Sequence, residues 1–435
     1  AHGMTCRGIR ALGGDIVQTP HLGALAARGT RFTRCYNMGS WSGAVCVASR
    51  TMLNTGRTVW RAERVYKTSE QEREAGRWWS EHMKAAGYRT YMTGKWHCQA
   101  NANKSFDVAR NVRGGMPKDA PVGYNRPQPG VPDPWSPSDP KFGGFWEGGT
   151  HWSEVVANDA IDFLEEASGR SEPYFMYIAF NAPHDPRQAP QEYVDRYPVE
   201  DVLVPVNFQP LYPFKDDIGC GPGLRDEKLG PFPRTSHAVQ VHRREYYALI
   251  THLDAQIGRI LEALEKTSDG KETWIFFTAD HGLACGEHGL FGKQNQYDHS
   301  VRVPFLVAGP GVQAGGSIER PIYLQSVMPT SLKLAGMEAL PVHVEFESLL
   351  PLLAGEGTDE DRPVYGGYLD LQRMITDGGW KLIVYPRAKA VRLYHVETDP
   401  YERHDLAADP KQQSRVRELF GKLLAPLSGM GHPDS

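Results

Sequence analysis

The sequence predicts an α/β fold: a large mixed, mostly parallel sheet sandwiched by helices, followed by a smaller C-terminal antiparallel sheet with one helix. Three observations predict it. Residues 174–180 (YFMYIAF), 273–278 (TWIFFT) and 303–308 (VPFLVA) are short apolar runs rich in β-branched and aromatic side chains. Near-continuous apolar runs of this length belong to strands covered on both faces. Segments 81–86, 153–166 and 243–264 lie between them, and their apolar residues recur every three or four positions, as on the buried stripe of a helix. After Leu350 the texture changes to short alternating segments at 363–369, 372–376, 380–385 and 391–395, then a polar helical stretch at 412–424. The boundary falls within residues 355–361, where Gly, Asp and Glu dominate, and divides the chain into 1–355 and 356–435.

Residues 111–150 break the pattern. Pro117, Pro121, Pro127, Pro129, Pro132, Pro134, Pro137 and Pro140 alternate with glycines there, so regular structure is excluded. A loop of that length either covers a substrate or is a surface excursion. Composition narrows the rest. Lys and Arg number 48 against 52 Asp and Glu, and this balance argues against a general nucleic-acid surface. No apolar run approaches the roughly 20 residues that cross a bilayer. The six cysteines contain no CxxC pair, which leaves room for one or two disulfides but not for a disulfide scaffold or a zinc-finger site.

The chemistry-bearing segment is CVASR at 46–50, preceded by Ser42, Gly43 and Ala44 and followed by TMLNTGR. Cys46 at the start of a helix would gain thiolate character from the amides and dipole there. A buried structural cysteine is the plainer alternative. Other segments stand in a fixed order around it: TPHL at 19–22 with LAARGTRF at 25–32, GKWH at 94–97, NAPH at 181–184, TADHG at 278–282, GEHGL at 286–290 running to Lys293, RVP at 302–304, and a tail from Leu393 to Leu406.

In this order the segments resemble the type I, formylglycine-dependent sulfatases of the alkaline-phosphatase-like superfamily, whose maturation signal is CxPSR. The resemblance implies that a formylglycine-generating or radical maturase oxidises Cys46 to formylglycine. The hydrated aldehyde would then offer one hydroxyl to attack sulfur, while the second later expels sulfate. Arg50 would hold the diol, Lys95 and Lys293 the sulfate oxygens, His184 would protonate the leaving alkoxide, and His97 would assist release. Asp280 and His281, together with the modified Cys46, would bind a divalent metal, usually Ca2+. The substrate would be a sulfated carbohydrate, since the many Trp and Tyr residues and the long Pro/Gly loop suit a sugar pocket. Phe145, Trp146, His151, Asp185 and Arg187 are candidate sugar contacts. The resemblance also implies a periplasmic or secreted enzyme.

Three departures accompany it. The family's two consecutive acidic metal ligands, which end its first strand, are not in the sequence, so that strand is expected to be missing. Ala48 stands where the signal usually has Pro, a form closer to that used by radical maturases. His281 replaces the more frequent Asn. The competing readings are a phosphate or phosphonate ester hydrolase of the same superfamily, and an inactive carbohydrate-binding relative.

Overall fold

The structure, a computed structural model, describes residues 1–14, 16–117, 120–267, 270–356 and 362–429. In chain order its main elements are α1 (Pro20–Arg28), β1 (Thr30–Phe32), α2 (Val45–Thr55), β2 (Arg89–Lys95), β3 (Val108–Arg113), α3 (Trp152–Ser168), β4 (Tyr174–Ala179), α4 (Ser236–Glu265), β5 (Ile275–Thr278), β6 (Phe305–Ala308) and β7 (Gly316–Ile318). They are followed by β8 (Val364–Tyr368), β9 (Gln372–Asp377), β10 (Trp380–Tyr385), β11 (Ala390–His395) and α5 (Gln413–Gly429). The three apolar runs all form strands.

Local chemistry sets the helix ends. Thr235 caps α4, its hydroxyl accepting from the Ala238 amide at 3.1 Å. His151 caps α3 through Nδ1, which accepts from the Ser153 amide at 3.1 Å. Helix α2 stops at Gly56, whose φ of 67° is open to glycine and strained for other residues.

The catalytic-size half of the chain contains two principal sheets. In one, the strand order is β7-β1-β6-β5, with β1 parallel to β7 but β6 antiparallel to both β1 and β5. In the other, β3-β2-β4 is parallel throughout. Phe305, Leu306 and Val307 of β6 are completely buried, as are Leu249, Ile250 and Leu253 of α4 in the same core.

Strands β4 and β5 differ from the sequence expectation that both their faces are covered. Each is the end strand of its sheet, most of its residues are only half-buried, and both line a cavity of about 850 Å3. Ala1 and His2 tie their carboxyl ends together across this gap. The Ala1 amine donates to Thr278 O at 2.7 Å, and the His2 amide to Ala182 O at 3.0 Å.

The C-terminal strands β8 to β11 form the expected antiparallel meander, and Leu419 and Leu423 of α5 pack on it. One feature differs: a fifth, parallel strand, Gly39–Ser40, joins the sheet beside β8 from the other end of the chain. Within the expected boundary, residues 357–361 lie outside the described residues. Among those described, all six cysteines are free, and no helix is long and apolar enough to cross a membrane.

Candidate active site

Parallel strands with connections above them gather functional groups at their carboxyl ends, and β2, β4 and β5 do so here. Lys95 is the last residue of β2, His184 follows β4, and Asp280 and His281 follow β5. Gly94, at φ 88°, makes the β2 end possible, because a Cβ there would sit 2.1 Å from Ala179 O on β4. Cys46 enters from the side, in the first turn of α2, where unpaired amides and the helix dipole favour negative charge.

At the centre lies Asp280, almost wholly removed from water. Its Oδ2 meets His2 Nδ1 at 2.8 Å and Arg50 Nε at 3.0 Å, and its Oδ1 accepts from the Gly3 amide at 3.2 Å. Burial alone would raise its pKa, but His2, His281 and Arg50 outweigh that and hold the carboxyl well below its usual range. Arg50 also donates to Lys95 O at 2.6 Å, so one guanidinium fixes both the carboxylate and the end of β2. The Lys95 ammonium lies 2.9 Å from His2 Nδ1, and burial pulls its pKa down to about 7.

Around Cys46 the charges are positive. Its Sγ is 3.3 Å from His97 Nδ1. Burial opposes ionisation of this thiol, yet Lys95, His281, His97 and Lys293 together bring its pKa well below the ordinary thiol range. The other face of the site carries His184, whose ring stacks on His2 at 4.4 Å. Its Nδ1 lies 2.7 Å from Asp185 O and 3.0 Å from Asp185 Oδ1, so Nδ1 carries a proton and Nε2 is left for chemistry. Burial lowers the His184 pKa to about 4, against the opposing pull of Asp185. Lys293 Nζ pairs with Asp226 Oδ2 at 3.0 Å. Burial lowers the Lys293 pKa, but Asp226, Cys46 and Asp185 more than offset this and raise it.

Cys46, Arg50, Lys95, His97, His184, Asp280, His281 and Lys293 are therefore brought into one cluster. Other expectations fail. Phe145 and His151 are fully buried and stack on each other at 5.0 Å, and Arg187 is buried against Cys285 and α4, so these three are core groups and not sugar contacts. Asp185 is committed to His184. His288 stacks on Tyr297 at 3.9 Å, and Glu287 contacts Arg7 and Asn207, which keeps both out of the cluster.

The structure adds groups that the sequence did not announce. His2 bridges Asp280, Lys95 and His184. Asp226 positions Lys293, and Arg225 donates to Asp226 at 2.5 Å. Asn37 donates to the Asp280 carbonyl. Gly115, inside the Pro/Gly loop, lies so close to His97 that a Cβ would sit 2.4 Å from the ring. None of these has a local signal except His2, a histidine between small residues at the head of the first recognisable segment.

A cation-lined nucleophile position, a carboxylate-anchored centre and an α/β scaffold together define a hydrolase of tetrahedral anionic esters. The sulfatase family model matches residues 5–337, well over half of the chain, and the chain belongs to the sulfatase family. The model for the N-sulphoglucosamine sulphohydrolase C-terminal region matches residues 286–427. Among curated proteins, the ulvan-active sulfatase of Formosa agariphila is 27% identical over 95% of this chain and 77% of its own length. The arylsulfatase of Clostridium perfringens is 27% identical over 98% and 92%. Among solved structures, a protein in complex with its substrate D-glucosamine-2-N,6-O-disulfate superposes with a TM-score of 0.75 at 21% identity, covering 100% of this chain and 98% of that one. The phosphonate monoester hydrolase of Agrobacterium radiobacter gives 0.74 at 21%, covering 99% and 94%.

The Asp280 contacts generate a stability prediction. Arg50→Ala leaves a carboxylate buried without the guanidinium that hydrogen-bonds it, and should destabilise the fold by about 3–5 kcal/mol. Urea unfolding of the variant against wild type measures this. A loss below about 1 kcal/mol, the range of an exposed ion pair, would contradict the assigned role of Arg50.

Proposed function

We propose that this sulfatase removes sulfate from a sulfated carbohydrate, with residue 46 as nucleophile after oxidation of its side chain. The observation that carries the reading is the position of Cys46 Sγ, in the first turn of α2, beside His97 and under the influence of Lys95 and Lys293. The thiol marks where the oxygens of a hydrated formylglycine would stand, and that group would supply the attacking oxygen. Substrates handled by the relatives fit this choice, since several of their names specify sulfated sugars or polysaccharides.

The protein's own groups meet the demands of the reaction. Nucleophile and ester are both electron-rich, and charge builds on the sulfate oxygens in the transition state, so preorganised cations lower the barrier. Lys95 and Lys293 both act on the residue-46 position electrostatically and would hold those oxygens. His97 Nδ1 faces residue 46 and would take its proton. His184 Nε2 would give a proton to the leaving oxygen. An imidazole with a pKa near 4 is a poor proton carrier at neutral pH, but two of the groups that lower it are Lys293 and Lys95. A bound sulfate ester offsets both charges, so the substrate itself raises the His184 pKa toward the working range.

The residues also fit a divalent ion. His281 Nε2 is buried with no hydrogen-bond partner among the described residues, Asp280 Oδ1 lies 3.6 Å from it, and ligand atoms of His2, Cys46 and His281 all fall within 4.8 Å of one another. Asp280 and His281 would hold the metal, whose chemistry is Lewis-acid polarisation of a sulfate oxygen. Asp280 is a hard donor suited to Ca2+ or Mn2+, whereas the imidazoles favour Zn2+.

Three outcomes are expected. Co-expression with a maturase should convert the Cys46 peptide to the aldehyde form by mass spectrometry and switch on sulfatase activity, and Cys46→Ala should show neither change. Full activity with an intact thiol, or faster turnover of a matched phosphate ester, would overturn the reading. His184→Asn should slow sugar sulfate hydrolysis by roughly a hundredfold or more, yet affect 4-nitrophenyl sulfate much less, because nitrophenolate leaves without a proton. Equal losses on both substrates would remove His184 from the acid role. Chelation should lower the thermal midpoint and Ca2+, Mn2+ or Zn2+ should restore it, with no response from Asp280→Asn; a midpoint indifferent to chelator would argue against a metal at Asp280.

A further inference from the structure

We propose that Arg225 determines specificity by reading a second negatively charged group on the sugar, so that the preferred substrate is a sulfated saccharide with a carboxylate or another sulfate near the scissile ester. The inference rests on the function proposed above and deepens it.

Arg225 stands where two ion pairs of the site meet. Its Nη2 lies 2.5 Å from Asp226 Oδ1 and 3.6 Å from Asp185 Oδ2, and Nε lies 3.2 Å from Asp226 Oδ1. Asp226 is also the partner of Lys293, and Asp185 is the partner of His184. Two carboxylates are thus shared among Arg225, Lys293 and, whenever it is protonated, His184. With His184 neutral the two carboxylates balance the two cations, so any further anion arriving here would meet Arg225 and Lys293 already paired within the protein.

Exposure says which member of the set can meet a ligand. Asp185, Asp226 and Lys293 side chains are each 6% exposed and His184 2%, whereas Arg225 is 33% exposed. It is the member of the set that reaches solvent, and Nη1 contacts no acceptor among the described residues. A guanidinium offers its edge to a carboxylate or sulfate as two parallel donors, and here one edge is occupied by Asp226 while Nη1 remains free.

Asp185 fixes the side of the substrate concerned. One of its oxygens is 3.0 Å from the histidine that would protonate the leaving oxygen, and the other faces Arg225 and accepts from the Tyr124 hydroxyl at 2.8 Å. Arg225 is therefore joined to His184 through Asp185 and to Lys293 through Asp226, at the solvent-facing edge of the two groups that would meet the ester, where a charged substituent of the sugar would come within its reach. A neutral sugar would offer Nη1 no anionic acceptor there.

Matched substrate pairs test the idea. Glucosamine 6-sulfate is compared with glucosamine 2-N,6-O-disulfate, and galactose 2-sulfate with galacturonate 2-sulfate, using matured wild type, Arg225→Gln and Arg225→Lys. Within at least one pair, wild type should favour the doubly charged member in kcat/KM by about tenfold or more, the scale of one charge-assisted hydrogen bond. Arg225→Gln should bring that ratio close to one, mainly through KM. The pair that responds tells sulfate from carboxylate. Arg225→Lys keeps a charge opposite Asp185 and Asp226 but loses the free guanidinium edge, so its ratio should fall between the two and reports even if the glutamine variant does not fold.

If Arg225 only braces the two carboxylates, both members of a pair lose rate together and the ratio stays put, which overturns the proposal. Wild type that cleaves substrates but prefers the singly charged member of each pair overturns it equally. Wild type that cleaves no member of either pair sinks the proposed function, and this reading with it.

Discussion

A carboxylate stripped of water holds this site together. Asp280 sits at the end of β5, and a lone charge in that environment would cost several kcal/mol relative to solvent. Arg50, His2 and the Gly3 amide offset that cost, the last two from one segment and Arg50 from another. Meeting the demands of one carboxylate therefore joins α2, the first residues of the chain, and β5. Because Arg50 also binds the Lys95 carbonyl, β2 is drawn into the same knot. The two principal sheets face a common cavity instead of forming one continuous ladder, so these polar contacts and the Ala1 and His2 backbone bonds span the place where ladder hydrogen bonds are absent among the described residues.

The same economy appears in the cations. Lys95 and Lys293 are both buried, yet their environments push them in opposite directions. Lys95 faces an imidazole and has its pKa pulled down to about 7, while Lys293 faces Asp226 and is pushed up. Lys293 is thus a permanent charge and Lys95 a responsive one. Because both lysines also lower the His184 pKa, a sulfate ester bound as proposed would offset their charge and arm the proton donor in one electrostatic event.

Much of the fold was legible because hydrophobic runs and helical periodicity are local properties. YFMYIAF, TWIFFT, the two halves of VPFLVA, and the α3 and α4 stripes all form where their spacing predicts. Sheet continuity was not legible, since β4 and β5 read as fully covered strands and in fact border a cavity. The eight residues taken from the motifs do converge, because each belongs to a segment whose residue order marks it, even where, as for Arg50 and Lys293, it lies inside a helix or in a loop. Asp226 and Arg225 had no such mark: they lie in an irregular stretch, and their partners are 67 and 40 residues distant in the cases of Lys293 and Asp185. Phe145, His151 and Arg187 misled for the opposite reason. Aromatic and charged residues beside a motif look like a sugar platform, but nothing in composition separates a ring that faces solvent from one stacked inside.

The C-terminal sheet is better understood as part of the site's frame than as an appendage. Gln372 of β9 donates to the Gln294 carbonyl at 2.7 Å, and Gln294 in turn donates to Asp226 at 2.7 Å and to the Gly43 carbonyl at 3.0 Å. Lys381 of β10 is completely buried between Asp298 and Glu402, with its ammonium 2.7 Å from Glu402, and the Asp298 amide donates to Glu402 at 2.8 Å. These contacts grip the segment from Lys293 to Asp298 at both ends. On its far edge the sheet pairs β8 with Gly39–Ser40, only a few residues ahead of Cys46. One sheet thus fixes both Lys293 and the loop that leads to Cys46, and the distance between them depends on hydrogen bonds made more than seventy residues later in the sequence. A chain whose C-terminal meander fails to form would lose the alignment of Lys293 with residue 46 even with every group of the cluster still present.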